Sequence, residues 1–238
     1  MQIERILHSQ GFGSRKLCRA LIRAGRVGVS GVAVDDPFAD LPTDGLVFTV
    51  DDVAWQFRAK AHLMLHKPSG YECSQLPQFH PSVFALLPDP LVRRGVQCIG
   101  RLDQDTTGLL LLSDDGQFIH TWSSGRKRTP KVYEVSVRHA VDDALIAALL
   151  GGVQLHDEPA PVRAAACRAT GERSLRLTIT EGKYHQVKRM VAAAGNRVEA
   201  LHRSAVGGLT LPPELASGSW RWLDAAELAQ LADFAPLP

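Results

Sequence analysis

The sequence predicts an α+β protein in which a short helix-and-hairpin region precedes a larger region of strands and helices. Residues 1–34 show two short helical patterns, followed by two apolar runs around a glycine turn that predict a β-hairpin. Further strands are predicted over residues 63–65, 109–112, 132–137 and 175–179. Helical periodicity returns over residues 142–150 and 187–194. The 238 residues, of which 45% are hydrophobic and 22% charged, are enough to bury a substantial core.

The first 34 residues are strongly basic, with six Lys and Arg side chains against Glu4, a net charge of plus five. Ser14 is a predicted N-cap for the second helix. On that helix Arg15, Arg19 and Arg23 recur every four residues and form one ridge. Such a ridge suits the phosphates of RNA or DNA, although a solvated basic face is the common alternative. The predicted nucleic-acid contacts are Arg15, Lys16, Arg19, Arg23 and Arg26.

Cysteine spacing and hydropathy argue against several classes of protein. Four widely spaced cysteines form no Cys-x-x-Cys pair, which indicates neither a zinc site nor a disulfide framework. There is no apolar leader and no run of 18 apolar residues, so secretion and membrane spanning are not expected. We therefore predict a cytoplasmic protein that does not bind membranes.

The polar segment from Gly100 to Gly108 directly precedes the apolar run Leu109–Leu112. A loop that enters a buried strand is a common position for catalytic groups, and its glycines suggest a close approach of the backbone to a ligand. Two alternatives remain at this point. Asp103 and Asp105 could serve only the backbone of a turn. They could also bind a hard cation together with the Asp114–Asp115 pair.

Three further segments carry polar residues next to predicted strands or helices. The turn sequence His66–Gly70 follows a strand, and we expect it to support the Asp103 loop. The cationic run 126–131 leads into a strand on which Tyr133 shares one face with other apolar residues. The segment 181–190 opens a helix whose apolar face is flanked by Lys188.

Residues 100–109, Gly-Arg-Leu-Asp-x-Asp-Thr-Thr-Gly-Leu, resemble the aspartate motif of the pseudouridine synthases. The form is that of the RsuA-like branch, which acts on small-subunit ribosomal RNA. Lys67-Pro68-x-Gly70, Lys131-x-Tyr133 and residues 181–190 resemble three other motifs of the family, in the same order. The N-terminal region resembles an S4 RNA-binding module, with Glu4 where an aspartate is usual.

The resemblance implies a domain organisation. An S4-like RNA-binding domain would span residues 1–57, a linker residues 58–62, and a pseudouridine synthase catalytic domain residues 63–238. The catalytic domain would contain a mixed, largely antiparallel sheet.

The resemblance also implies an activity, the isomerisation of a uridine in 16S ribosomal RNA to pseudouridine without a cofactor. The target would be uridine 516 if the resemblance extends to the substrate. Asp103 would be the catalytic residue, paired with Lys188, and Tyr133 would lie against the base. Arg101 would fill the gap left by the flipped nucleotide, while further phosphate contacts would come from Arg126, Lys127, Arg128 and Arg203. The enzyme is expected to act as a monomer on ribosomal RNA or on an assembly intermediate.

Three alternatives stay open from the sequence. The substrate could be a uridine of 23S ribosomal RNA, or the chain could be a noncatalytic ribosome-assembly factor. A metal-dependent glycosyl or phosphoryl enzyme is the third.

Overall fold

The computed structural model describes residues 1–234 and divides the chain into two compact units. The first unit contains Met1–Ala61, Leu87–Gln97 and Ser113–Asp115. The second unit contains the remaining described residues. The segment Leu87–Gln97 is thus grouped with the N-terminal residues, whereas the sequence interpretation placed it in the catalytic domain.

Two short helices open the first unit, α1 (Ile3–Ser9) and α2 (Arg15–Arg23). The chain turns between them at Gly11, whose φ of +88° favours glycine. A Cβ at Gly11 would also lie 1.9 Å from the carbonyl oxygen of Pro90. Ser14 caps α2 by accepting a hydrogen bond of 3.3 Å from the amide of Leu17. The predicted helices and cap are confirmed.

A four-stranded antiparallel sheet completes the first unit, in the order β2-β1-β3-β4. Its strands are β1 (Val27–Val29), β2 (Val32–Ala33), β3 (Val47–Val50) and β4 (Val53–Gln56). The hairpin β1–β2 was predicted and is confirmed. The hairpin β3–β4 was not predicted, although Asp51 and Asp52 both have positive φ, a conformation that aspartate tolerates in tight turns.

Arg94 connects the segment Leu87–Gln97 to other residues of the first unit. It follows α3 (Asp89–Arg93), and its side chain is only 4% exposed. Its guanidinium donates to Oε1 of Gln10 at 2.8 Å, to the carbonyl of Arg58 at 2.7 Å, and to the carboxylate of Asp114. A buried guanidinium requires several acceptors, and these three are contributed by residues of the same unit.

The second unit is built on a mixed sheet. Its strands are β5 (His62–Lys67), β6 (Gln97–Ile99), β7 (Thr107–Ser113), β8 (Lys131–Val137), β9 (Ala166–Gly171), β10 (Ser174–Ile179), β11 (Val198–Val206), β12 (Leu209–Thr210) and β13 (Trp220–Trp222). The order is β13-β5-β7-β11-β8-β10-β9, with β12 paired to β11 and β6 to β7. β11 runs parallel to β7 and antiparallel to β8, and β10 runs antiparallel to β8 and β9. The predicted fold class, α+β with a mixed and largely antiparallel sheet, is confirmed.

Four helices accompany this sheet: α4 (Gly116–Ser123), α5 (Asp143–Gly151), α6 (Gln186–Ala193) and α7 (Ala225–Ala232). Helices α4 and α7 pack against an apolar cluster that includes Met64, Leu109 and Leu111 of the sheet. The predicted helices α5 and α6 are confirmed, whereas α4 and α7 were not predicted. None of the helices between residues 1 and 234 is both long and apolar enough to span a membrane.

Candidate active site

The Asp103 loop connects β6 to β7 and contains residues 100–106. Its turn is closed by a hydrogen bond of 3.1 Å from the amide of Thr106 to the carbonyl of Asp103. Leu102 is buried, whereas the side chain of Asp103 is 27% exposed. The loop therefore anchors one residue in the core and leaves the next carboxylate accessible to a ligand.

Lys67, the last residue of β5, binds the backbone of this loop through its ammonium group. Its side chain is fully buried, and burial lowers the pKa of its ammonium. The ammonium donates to the carbonyl oxygens of Pro68 and Gln104 at 3.0 Å and of Thr106 at 2.9 Å. These three acceptors match the three protons of a lysine ammonium, and two of them belong to the Asp103 loop. The predicted supporting role of this motif is confirmed.

Gly108 approaches protein backbone, where the sequence suggested a ligand. Its φ is +107°, and a Cβ at this position would lie 2.3 Å from the carbonyl oxygen of Arg203. Glycine is needed here because β7 and β11 run side by side at this point. For Gly108, the expected approach to a ligand is therefore corrected to an approach between strands.

Lys188, on the first turn of α6, joins the two aspartates of the loop. Its Nζ lies 3.3 Å from Oδ2 of Asp103 and donates a hydrogen bond of 2.6 Å to Oδ1 of Asp105. The predicted contact between Lys188 and Asp103 is confirmed. The shorter bond to Asp105 was not predicted. The sequence suggested only that Asp105 would stabilise a turn or bind a cation.

The pKa shifts in this group follow from the shared contact. Burial alone would raise the pKa of Asp105, but the hydrogen bond and charge of Lys188 outweigh burial and lower it. Burial would likewise lower the pKa of Lys188, and the two carboxylates reverse this and raise it. Lys188 is therefore held as a cation between two carboxylates at neutral pH.

His185 is a further neighbour of Asp103 that sequence reasoning missed. Its Nε2 lies 3.5 Å from Oδ1 of Asp103, on the side opposite the oxygen that contacts Lys188. The residue precedes α6 with a φ of +48°, in the left-handed region. Its ring stacks on that of Tyr184, with centroids 3.8 Å apart and planes inclined by 17°.

Tyr133 lies on β8, in one row of residues across the sheet. Gly108 of β7 pairs with Arg203 of β11, which pairs in turn with Tyr133. Two strand spacings separate Gly108 from Tyr133, about 10 Å. The predicted strand is confirmed, with Tyr133, Val135 and Val137 buried on one face.

Arg203 does not have the position that was predicted for it. Its side chain is 3% exposed, and its Nε donates a hydrogen bond of 2.8 Å to the carbonyl oxygen of Leu109. A buried guanidinium that joins β11 to β7 fits an internal role. The RNA contact predicted for Arg203 is therefore withdrawn.

The remaining predicted RNA contacts differ in the exposure of their charged groups and in the contacts that these groups already make. The predicted contacts of the second unit that are exposed are Arg101, Arg126, Lys127 and Arg128. Of these, Lys127 already lies over the ring of Trp122, with its Nζ 4.3 Å from the centroid.

In the first unit, two of the five predicted cations are already paired. Arg19 bonds the buried carboxylate of Glu4, and Arg26 bonds Asp51, with one contact of 2.6 Å. These pairs lower the pKa of both carboxylates. The exposed residues Arg15, Lys16 and Arg23 form no ion pair with any described residue, so they are the better candidates for phosphate contact.

The carboxylates suggested as cation ligands have other partners. Asp114 accepts hydrogen bonds from Arg94 and, at 2.7 Å, from the amide of Ala61, while Asp105 is bound to Lys188. Among residues 1–234, no group of three or more His, Cys, Asp or Glu side chains is arranged to hold a metal ion. The carboxylates of Asp105 and Asp114 are therefore engaged by basic side chains of their own units, and they do not support the suggested role as cation ligands.

Comparison with known proteins shows which protein family the chain belongs to. Residues 61–193, more than half of the chain, match the model of a protein family described as RNA pseudouridylate synthase. The chain belongs to this family. The matched segment of the synthase contains Lys67, Asp103, Tyr133 and Lys188. The protein is accordingly an enzyme, an RNA isomerase.

Relatives of the synthase match it over nearly its full length. The ribosomal small subunit pseudouridine synthase A of Escherichia coli (strain K12) is 39% identical over 232 residues, covering 97% of this chain and 100% of that protein. The protein of the same name from Yersinia pestis is 38% identical, covering 97% and 98%. A solved structure described as a crystal structure of pseudouridylate synthase has 31% identity, 98% and 100% coverage and a TM-score of 0.69.

Proposed function

We propose that this synthase converts a single uridine of 16S ribosomal RNA, uridine 516, to pseudouridine. The observation that carries the catalytic part is the accessible carboxylate of Asp103, 3.3 Å from the ammonium of Lys188 on a loop fixed by Lys67. The choice of small-subunit RNA is supported by the full-length similarity to relatives named for that substrate. We expect the enzyme to act in the cytoplasm, as a monomer and without a cofactor.

The reaction exchanges one bond of the nucleoside for another. The bond between N1 and C1′ breaks, the uracil turns while it remains bound, and C5 bonds to C1′. The proton on C5 is lost and N1 gains one, so no redox partner is required. A carboxylate can assist either by adding to C1′ or by removing a proton from the ribose, because both steps accompany positive charge on the sugar.

Asp103 is assigned that carboxylate role. Lys188 contacts Oδ2 of Asp103, and it offsets the repulsion between the carboxylates of Asp103 and Asp105. Oδ1 lies on the side of His185. This arrangement orients the carboxylate and keeps it accessible to the sugar.

Tyr133 and Arg101 are assigned to the nucleotide itself. An aromatic face holds a flipped pyrimidine without a specific hydrogen bond, which suits a base that must turn during the reaction. Arg101 is exposed two residues before Asp103. A guanidinium at that position can occupy the gap that the flipped uridine leaves in the RNA.

The test of this function is a comparison of ribosomal RNA from wild-type and deletion strains, together with an assay of the purified enzyme. Tritium release from C5-labelled uridine in 16S RNA is expected with the enzyme alone, without an added cofactor. Pseudouridine at position 516 is expected to disappear in the deletion strain. Modification confined to 23S RNA would contradict the substrate assignment, and the absence of tritium release from both RNAs would contradict the enzymatic one.

The basic surface of the first unit gives a separate prediction. Replacing Arg15, Lys16 and Arg23 together by glutamine should weaken RNA binding and reduce the salt dependence of the binding constant. Each lost phosphate contact is expected to reduce the log–log slope by about 0.7 to 0.9. Fluorescence anisotropy with labelled 16S RNA at several salt concentrations measures this slope. A slope that stays the same in the triple variant would remove these residues from the interface.

Arg26 and Arg23 provide a matched control. Both are exposed arginines of the same unit, but Arg26 is paired with Asp51. Arg26→Gln should therefore change the salt slope less than Arg23→Gln does. Equal changes in the salt slope would show that the ion pair with Asp51 does not prevent Arg26 from contacting RNA.

A further inference from the structure

Tyr184, whose ring stacks on that of His185, has no role in the reaction described above. Tyr184 is 75% exposed, so most of this large aromatic residue is accessible to a binding partner. One face of its ring is covered by the imidazole of His185, 3.8 Å away. The ring therefore presents its other face to solvent.

The pair is held in place by contacts on both sides of it. The amide of Lys183 donates a hydrogen bond of 2.9 Å to Oε1 of the buried Gln186, and Nζ of Lys183 bonds Glu158 at 2.6 Å. Arg189 donates a hydrogen bond of 3.2 Å to the carbonyl oxygen of Tyr184. The left-handed backbone of His185 is unfavourable for a residue with a Cβ, and these contacts maintain it. The ring of Tyr184 is thus presented by a braced segment.

The position of the pair connects it to the reaction centre. His185 lies 3.5 Å from Asp103, so only one imidazole ring separates the carboxylate from the tyrosine. A flat group stacked on the open face of Tyr184 would lie about 3.5 to 4 Å further out. That distance suits a neighbour of the reacting nucleotide.

We infer that Tyr184, backed by His185, is a stacking platform for the base of a nucleotide that flanks the target uridine. This inference rests on the proposed function. When the target nucleotide leaves the stack, its neighbours lose a stacking partner, and an exposed aromatic face can replace that partner. An aromatic face accepts any base, so the platform would position the RNA strand and leave the recognition of sequence to other contacts.

The expected effect is on binding rather than on the chemical step. Tyr184→Ala should raise the Kd for 16S RNA and the KM by about tenfold or more. Its kcat should stay within about threefold of wild type, because Asp103, Lys188 and the loop are unchanged. Tyr184→Phe and Tyr184→Trp keep an aromatic face and should restore binding.

The direct test uses 2-aminopurine, a fluorescent base whose emission is quenched by stacking. A 16S RNA fragment carries it immediately before or after the mapped target uridine, and the full-length enzyme carries Asp103→Asn so that binding is observed without turnover. The additional change Tyr184→Ala should remove quenching at one of these positions, and Tyr184→Phe should retain it. Phe79→Ala is the matched control, since Phe79 is an aromatic residue of the same unit with 85% exposure, and it should leave the quenching intact.

The outcomes separate this inference from the proposed function. Quenching that persists in the Tyr184→Ala protein, or that is absent at both positions with an intact Tyr184, would overturn the platform. A loss of quenching that is equally large in Phe79→Ala would overturn its placement at Tyr184. Failure of the wild-type enzyme to release tritium, with quenching that depends on Tyr184, would instead contradict only the proposed function.

Discussion

Asp103→Asn is expected to abolish pseudouridine formation, lowering kcat by at least about a thousandfold while RNA affinity changes by less than about threefold. Asparagine has nearly the shape of aspartate, so the hydrogen bond from the amide of Thr106 to the backbone carbonyl of this residue should persist. The loop should also keep its attachment to Lys67. What is lost is the negative charge, and with it both the addition to C1′ and the removal of a ribose proton. Tritium release and RNA binding, measured on the same preparation, check the two parts of the prediction.

Asp105→Asn is the control for this result. It removes the other carboxylate that Lys188 contacts, and an amide oxygen can still accept the hydrogen bond that Lys188 donates at 2.6 Å. We expect the turnover of this variant to stay within about tenfold of wild type. If Asp103→Asn retained turnover, or if Asp105→Asn were equally inactive, Asp103 could not be assigned as the single catalytic carboxylate.

Lys67→Met is expected to have the largest effect on stability. The side chains have similar length, but the variant leaves the carbonyls of Pro68 and Thr106 without the buried ammonium, while that of Gln104 keeps only the hydrogen bond of 2.8 Å from the amide of Gly70. The cost of the unpaired carbonyls exceeds what is recovered by no longer burying an ammonium. We expect the free energy of unfolding to fall by about 2 to 4 kcal/mol. Urea denaturation measures this change.

The same substitution should also lower activity, although Lys67 does not touch the substrate in our assignment. Two of its three acceptors belong to the Asp103 loop, so a loop without this anchor should hold Asp103 less accurately. Lys60→Met is the control, because Lys60 is exposed, and its effect on stability should stay within about 0.5 kcal/mol. A Lys67→Met enzyme with wild-type stability and turnover would show that the loop does not depend on this anchor.

Local patterns in the sequence were sufficient for many of the individual elements. Ser14 and Asp142 mark helix starts because their side chains satisfy backbone amides within a few residues of themselves. Alternation in β8 and β10 and helical spacing in α6 predict the buried faces, since these depend only on the geometry of one element. Helix α7 was missed although Asp224 and Glu227 form a capping box, a signal that the sequence does contain.

The candidate site was anticipated through a family motif more than through physical pattern. Nothing in the spacing of Asp103 and Lys188 predicts their contact, and the resemblance supplied it. The motif did not indicate that Lys188 makes its shorter contact with Asp105, or that Tyr184 stacks on His185 beside Asp103. Motifs identify which residues recur together, and they do not specify the distances between them.

The roles of charged residues were decided only in the folded chain. Lys67 meets Gln104 across 37 residues, Lys188 meets Asp105 across 83, and Arg203 meets Leu109 across 94. Before folding, a buried structural lysine, a catalytic lysine and a lysine on an RNA-binding surface have the same side chain and comparable neighbours in sequence. Strand order and register surround the structural lysine with backbone carbonyls and the catalytic lysine with carboxylates, and they leave the RNA-binding lysine in solvent. These partners determine what each charge does.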